Sequence, residues 1–264
     1  MVKNRIIIKV GTSTLTYENG KANLRRIEGL CNVISDLHNQ GKEIIFVSSG
    51  AIGMGIGKAG PPKGALGTKE KQAYAAVGQC ELMFLYDKFF REYNQTIAQI
   101  LLTNEAVESF EKRHNILNTI NTLLDMDIIP IINENDTVSI DEIEGSNFSD
   151  NDMLSAIVAK LVSAERLIIL TDIDGLHDKD PRKYEDASRI SIVEKITDEL
   201  FDIAGGTGSK RGTGGMLTKL KAALFAVSSG IECHVISGEK PERLYSVFAG
   251  EDVGTTFRIC EKIT

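Results

Sequence analysis

The chain predicts an α/β fold: a mostly parallel sheet held between two helical layers. Short β-branched runs alternate with longer helical patterns along its 264 residues. The runs carry little polar alternation, as strands covered on both faces require. Polar and glycine-rich segments follow the runs, and such sheets bind ligands beyond the carboxyl ends of their strands.

From the N-terminus, Ile6-Ile7-Ile8 forms a strand that closes at Lys9-Val10-Gly11-Thr12. A helix follows over Asn23 to Asn39, because Leu24, Ile27, Leu30, Cys31, Ile34 and Leu37 recur on one face. The second strand, Glu43 to Ser48, passes through Ser49-Gly50-Ala51-Ile52-Gly53 into a glycine-rich turn, and a long helix covers Thr68 to Tyr93. Six further strands are predicted at Thr96 to Leu102, Ile128 to Ile132, Leu167 to Leu170, Ile190 to Val193, Cys233 to Ile236 and Thr255 to Ile259. Helices are predicted at Phe110 to Asp125, Asp152 to Ser163, Gly215 to Ser229 and Pro241 to Phe248. The segments Lys9 to Ser13, Ser48 to Gly50, Asn133 to Asp136 and Thr171 to Gly175 each follow or close a strand, so four polar segments are expected at one crevice.

Composition bounds the class. With 42% hydrophobic and 25% charged residues and no Pro/Ser-rich linker, one domain over residues 1–264 is expected. The net charge of −7, with scattered lysines and arginines, argues against nucleic-acid or anionic-membrane partners. No run of about 18 apolar residues occurs, nor an apolar signal core, and a cytoplasmic location is expected. Cys31, Cys80, Cys233 and Cys260 lie far apart and are expected to be reduced core thiols. His38, His114, His177 and His234 lack metal-ligand spacing, so they read as structural and no protein metal ligands are assigned.

Gly55, Gly57 and Gly60 match G-x-G-x-x-G literally, but Pro61-Pro62 block the helix that a dinucleotide site requires after the third glycine. No G-x-x-x-x-G-K-[ST] is present, so any ATP site uses another cradle. Ser49 to Gly53 follows a strand and can form an anion nest. The run Gly205 to Gly215 suits a loop closing over a nucleotide and leads into a helix carrying Lys219.

Lys9 and Lys219, remote in sequence, each present an ammonium where a phosphate could sit, which points to a kinase. The chain resembles the glutamate 5-kinase branch of the amino acid kinase family. The resemblance rests on Ile8 to Ser13, Val47 to Ile52, Ala75 to Gln79, Ile131 to Asp136, Asp150 to Ala156, Leu170 to Asp172 with Gly175-Leu176 and Asp180-Pro181, and Gly212 to Lys219. It implies a three-layer αβα sandwich around a largely parallel eight-stranded sheet, the amino acid kinase fold. It also implies ATP-dependent phosphorylation of the side-chain carboxylate of L-glutamate in proline biosynthesis. Carried over by position, Lys9, Thr171, Asp172 and Thr213, Gly214, Gly215, Met216, Leu217, Thr218 and Lys219 contact ATP. Ser49, Gly50, Asp136 and Asn151 hold glutamate with Asn133 nearby, and Asp152 orients the lysines. Family resemblance further implies a homo-oligomer and feedback inhibition by proline.

Two departures stand out. Many bacterial members continue into a C-terminal PUA domain, and this chain resembles the kinase domain alone. Relatives often read Lys-Phe-Gly before the position of Asp150, where this chain has Asn147-Phe148-Ser149, so a cation that assists glutamate binding is missing or replaced.

The chemistry follows from charge. A glutamate side chain with a pKa of about 4.3 is already ionised at neutral pH and needs no general base. The barrier is repulsion, roughly 4 kcal/mol for two unit charges about 4 Å apart at an effective dielectric near 20. Lys9 is expected to neutralise the transferring phosphoryl oxygens and Lys219 to follow charge onto the leaving phosphate, with Mg²⁺ bridging the nucleotide. Asp152 and Asp172 are the expected acidic partners of the lysines. Asp136 suits the α-ammonium of a free amino acid, favouring glutamate over N-acetylglutamate. The alternatives are a kinase for aspartate, N-acetylglutamate or UMP, and a nucleotide or amino-acid sensor without turnover.

Overall fold

The computed structural model describes residues 4–62, 64–138, 151–195, 197–205 and 215–258. Its strands are β1 (Arg5–Val10), β2 (Glu43–Val47), β3 (Ile97–Leu102), β4 (Ile129–Glu134), β5 (Arg166–Thr171), β6 (Ile192–Val193), β7 (Glu232–Ser237) and β8 (Gly254–Phe257). They form one eight-stranded sheet in the order β3-β4-β2-β1-β5-β7-β8-β6. Neighbours from β3 through β7 are parallel; β8 runs antiparallel to β7 and parallel to β6. Among the described residues the helices are α1 (Thr12–Leu15), α2 (Leu24–Asn39), α3 (Ala51–Ala59), α4 (Thr68–Glu92), α5 (Asn104–Glu108), α6 (Phe110–Asp125), α7 (Asn151–Leu161), α8 (Asp198–Gly205), α9 (Gly215–Ser228) and α10 (Arg243–Phe248).

All six residues of β1 are buried, which explains its unbroken apolar run. Ile6, Ile8 and Val10 pack with Ile44, Phe46 and Ile168 beneath α2, α4 and α10, while Ile7 packs with Ile45, Val47 and Ile169 beneath α6, α7 and α9. These are the two helical layers. Side chains alternate between faces, so Lys9 shares the face of Ile7 and points toward the layer that contains α7 and α9.

One element differs from its expected form. The segment after Gly50, expected as a glycine-rich turn, is the helix α3. Glycine lowers intrinsic helix propensity, but here its missing side chain permits close packing that outweighs the loss. A Cβ on Gly55 would lie 1.9 Å from the Tyr74 carbonyl oxygen, and one on Gly78 would lie 1.7 Å from that of Ala51. Helices α3 and α4 therefore meet backbone to backbone. Gly60, with φ 88°, ends α3, so the G-x-G-x-x-G match is a helix and its cap.

Helices α1, α5 and α8 are also absent from the sequence reading. Runs of four to eight residues are too short to show a helical period. The strand expected at Ile190 to Val193 shortens to Ile192–Val193, and Ile259 lies outside the described residues.

Candidate active site

Strands β4, β2, β1 and β5 are consecutive parallel neighbours, so their carboxyl ends share one rim. Asn133 and Asp136 stand at the end of β4, Ser49 and Gly50 follow β2, Lys9 lies near the end of β1, and Thr171 and Asp172 close β5.

At this rim Asp152, in the first turn of α7, joins the two lysines. Lys9 Nζ lies 2.7 Å from Asp152 Oδ1, and Lys219 Nζ lies 3.0 Å from Oδ2. Thr218 Oγ1 donates to the same Oδ2 at 2.9 Å, and Lys219 Nζ also donates to the Gly215 carbonyl at 3.0 Å. Lys9, Asp152 and Lys219 are 3%, 1% and 8% exposed, so these charges interact with little screening by water. Burial raises the Asp152 carboxyl, but the charges of Lys9 and Lys219 outweigh it and bring the pKa down to about 2. The carboxylate is thus ionised at neutral pH. Two ammonium groups against one carboxylate make the triad net cationic, the sign required beside a phosphoryl group.

On the β2 and β4 side, helix α4 supports the strand ends from below. Asn133 Nδ2 donates to Gln79 Oε1 at 2.8 Å, and Asn133 Oδ1 accepts from the Glu134 backbone N–H at 2.9 Å. Tyr86 Oη and Ser48 Oγ share a hydrogen bond of 2.8 Å, and burial pushes the Tyr86 phenol up, keeping it neutral. Gly50, with φ 93°, turns the chain from β2 into α3 in a left-handed conformation that favours glycine. Ser49, Asp136 and Asn151 are buried. Asn151 Oδ1 has no hydrogen-bond partner among the described residues.

Beyond β5 lies a cavity of about 430 Å³, lined in part by Thr171, Asp172, Leu176, Ile203, Gly215 and Met216. Thr171 Oγ1 donates to Asp172 Oδ1 at 3.0 Å, and Asp172 Oδ2 pairs with Arg182 at 3.2 Å. Asp172 was expected to orient the lysines. Its described side-chain contacts run instead to Thr171 and Arg182, because it follows β5 on the cavity side.

The two lysines and Asp152 are brought together; Thr171, Asp172, Gly215 and Met216 line the neighbouring cavity. Thr213 and Gly214, and the segment Asn147-Phe148-Ser149 with Asp150, lie outside the described residues. Gln79 and Arg182 received no role from the sequence. Gln79 lies within the Ala75 to Gln79 stretch that carries the family resemblance, but nothing local reveals its partner 54 positions away. Cys31 and Cys233 are buried as expected, whereas Cys80 is exposed on α4 and Cys260 lies outside the described residues. No group of three or more His, Cys, Asp or Glu side chains suited to a metal occurs among the described residues.

Residues 4–237 match the amino acid kinase family. The chain is 57% identical over 254 residues to a glutamate 5-kinase of Clostridium perfringens, covering 96% of this chain and 94% of the relative. It is 50% identical to a glutamate 5-kinase of Listeria innocua, covering 92% of that protein. A glutamate 5-kinase of Caldanaerobacter subterraneus is 51% identical, and the match covers 67% of that longer chain. Among solved structures, a UMP kinase from Bacillus anthracis superposes with a TM-score of 0.65 at 17% identity, covering 98% of this chain and 97% of that one. An isopentenyl phosphate kinase from T. acidophilum gives 0.64 at 17% identity, covering 96% and 99%. These structures share the fold with different named substrates. The family match over most of the sequence, the identity to relatives of nearly equal length and the common sheet agree: the chain belongs to the amino acid kinase family.

Proposed function

We infer that this chain transfers the γ-phosphoryl group of ATP to the side-chain carboxylate of L-glutamate, producing glutamyl 5-phosphate for proline biosynthesis. The observation that carries the reading is the meeting of Lys9 and Lys219 on the buried carboxylate of Asp152.

In this reading the cavity beyond β5 takes the nucleotide. Thr171, Asp172 and the residues from Thr213 to Lys219 contact it, and its terminal phosphate reaches the lysines. The acceptor lies on the β2 and β4 side, held by Ser49, Gly50, Asp136 and Asn151 with Asn133 beside them. Asp136, and the Asn151 oxygen that has no hydrogen-bond partner among the described residues, suit its ammonium. The acceptor carboxylate attacks the γ-phosphorus, the bond to the β,γ-bridging oxygen breaks, and ADP leaves with that oxygen. Lys9 stabilises the transferring oxygens, Lys219 the leaving phosphate, and Asp152 keeps both ammonium groups at the rim. No cluster of three or more ligating side chains among the described residues offers Mg²⁺ a site of its own; Mg²⁺ entering with the nucleotide would be held by its phosphates and would supply further neutralisation of their charge.

The same proposal includes one working domain, a homo-oligomer, and inhibition by proline, checked by assaying with and without that amino acid. A cytoplasmic location fits the free thiols at Cys31, Cys80 and Cys233. The decisive assay supplies ATP, Mg²⁺ and hydroxylamine with glutamate, N-acetylglutamate or aspartate. Hydroxamate from the trapped acyl phosphate is expected with glutamate. Equal or greater yield from another acid would overturn the substrate assignment, and nucleotide binding with neither hydroxamate from any acid nor phosphorylation of UMP would make the chain a sensor. Asp136→Asn is expected to raise KM for glutamate far more than KM for ATP; equal effects would remove Asp136 from the acceptor side.

A further inference from the structure

We propose that Gln79 is a positioning residue for the acceptor subsite, acting through Asn133. The inference rests on the proposed placement of Asn133 beside the acceptor. Gln79 lies within α4 and is 9% exposed, and its Oε1 accepts from Asn133 Nδ2 at 2.8 Å. The other end of the Asn133 amide is fixed separately, since Oδ1 accepts the Glu134 backbone N–H at 2.9 Å. A backbone N–H can only donate, so oxygen must occupy that end and nitrogen the other. Gln79 must then present its carbonyl oxygen to Asn133.

This pair of bonds settles both the tilt and the polarity of the Asn133 side chain. One hydrogen of Nδ2 is engaged by Gln79, and the second is a donor of known sign at the rim. A donor suits an oxygen of an acidic acceptor and opposes its ammonium. Gln79 is itself held firmly, because the adjacent Gly78 packs where a Cβ would lie 1.7 Å from the Ala51 carbonyl oxygen. Helix α4 thus transmits its own position to the acceptor side through one amide–amide bond.

The test is steady-state kinetics on Gln79→Met, Gln79→Glu, Asn133→Ala and the double variant Gln79→Met with Asn133→Ala. Gln79→Met removes the acceptor oxygen at similar size and is expected to raise KM for glutamate roughly tenfold. Its kcat and KM for ATP should stay within about twofold of wild type. Gln79→Glu, which keeps an acceptor oxygen, should recover most of the loss, and the double variant should be no worse than Asn133→Ala alone. If Gln79→Met does not fold, Gln79→Leu, which also lacks an acceptor oxygen, makes the same comparison. Equal changes in kcat and both KM values, or multiplying effects in the double variant, would overturn the proposal. If Asn133→Ala raises KM for glutamate and Gln79→Met does not, only the role of Gln79 is lost. If Asn133→Ala leaves that KM unchanged, the subsite placement fails and this inference fails with it.

Discussion

Lys9 shows how a buried strand residue can carry charge. Surrounded by isoleucine and valine in a fully buried strand, an ammonium group has no place unless an anion meets it, and Asp152 does so at 2.7 Å. If Lys9 and Lys219 stabilise moving phosphoryl charge as proposed, removing one of these two cations should act on the chemical step. Lys9→Ala is therefore expected to lower kcat by about 10²–10³-fold, measured as hydroxamate at saturating ATP and glutamate. Turnover near the wild-type value would refute the role.

Asp152 links the same cluster to stability. Its pKa falls from 3.8 to about 2 in the folded protein, so near those values the unfolded chain binds more protons than the folded one. The associated stabilisation is complete above about pH 4, is lost as pH falls through about 2, and is on the order of 2 kcal/mol. Acid titration followed by circular dichroism should show this loss in the wild type. Asp152→Asn, which has no carboxylate to protonate, should lack that component and should be less stable at neutral pH because two buried ammonium groups lose their counter-charge. Identical acid profiles would separate Asp152 from acid stability.

At the scale of elements, the contact between α3 and α4 sets the geometry beneath the proposed acceptor side. Helix α4 reaches Ser48 through Tyr86 and Asn133 through Gln79, so its height under the sheet rim matters. Gly78→Ala would drive a methyl group against the Ala51 carbonyl oxygen, where a Cβ finds only 1.7 Å. Relieving such overpacking costs about 1–3 kcal/mol, and a fall in Tm of roughly 5 °C or more is expected by calorimetry. Gly64→Ala is the control, since nothing lies within 4 Å of its Cβ position. Equal Tm values for both variants would show that the helices separate without cost.

Across the whole molecule, the edge strand β3 has a half-exposed apolar run, and α4 displays Val77 and Phe84, the latter 62% exposed. An edge strand with exposed apolar groups on α4 supports the proposed homo-oligomer. Light scattering in solution is expected to give at least twice the 28.9 kDa of one chain. A monomer at high protein concentration would overturn that proposal.

Much of this architecture was legible in the order of residues. Unbroken runs such as Ile6-Ile7-Ile8 announce strands buried on both faces, and the amphipathic spacing of Leu24 to Leu37 announces a helix, because burial and period act locally. Short helices and the glycine-bearing α3 were not legible, since their stability comes from packing partners rather than from their own periodicity. The lysines, Asp152 and the strand-end residues were visible through residue type and motif resemblance. Their spatial relations were not: Lys9 and Asp152 are far apart in the chain, and only the parallel order β4-β2-β1-β5 with α7 and α9 on one face makes them neighbours. The pairing of Asp172 with Arg182 and the hold of Gln79 on Asn133 likewise follow from tertiary structure alone. Local chemistry therefore determined the elements and the kinds of group at hand, while side-chain partners, which depend on distances between remote segments, were decided only by the packing of the layers.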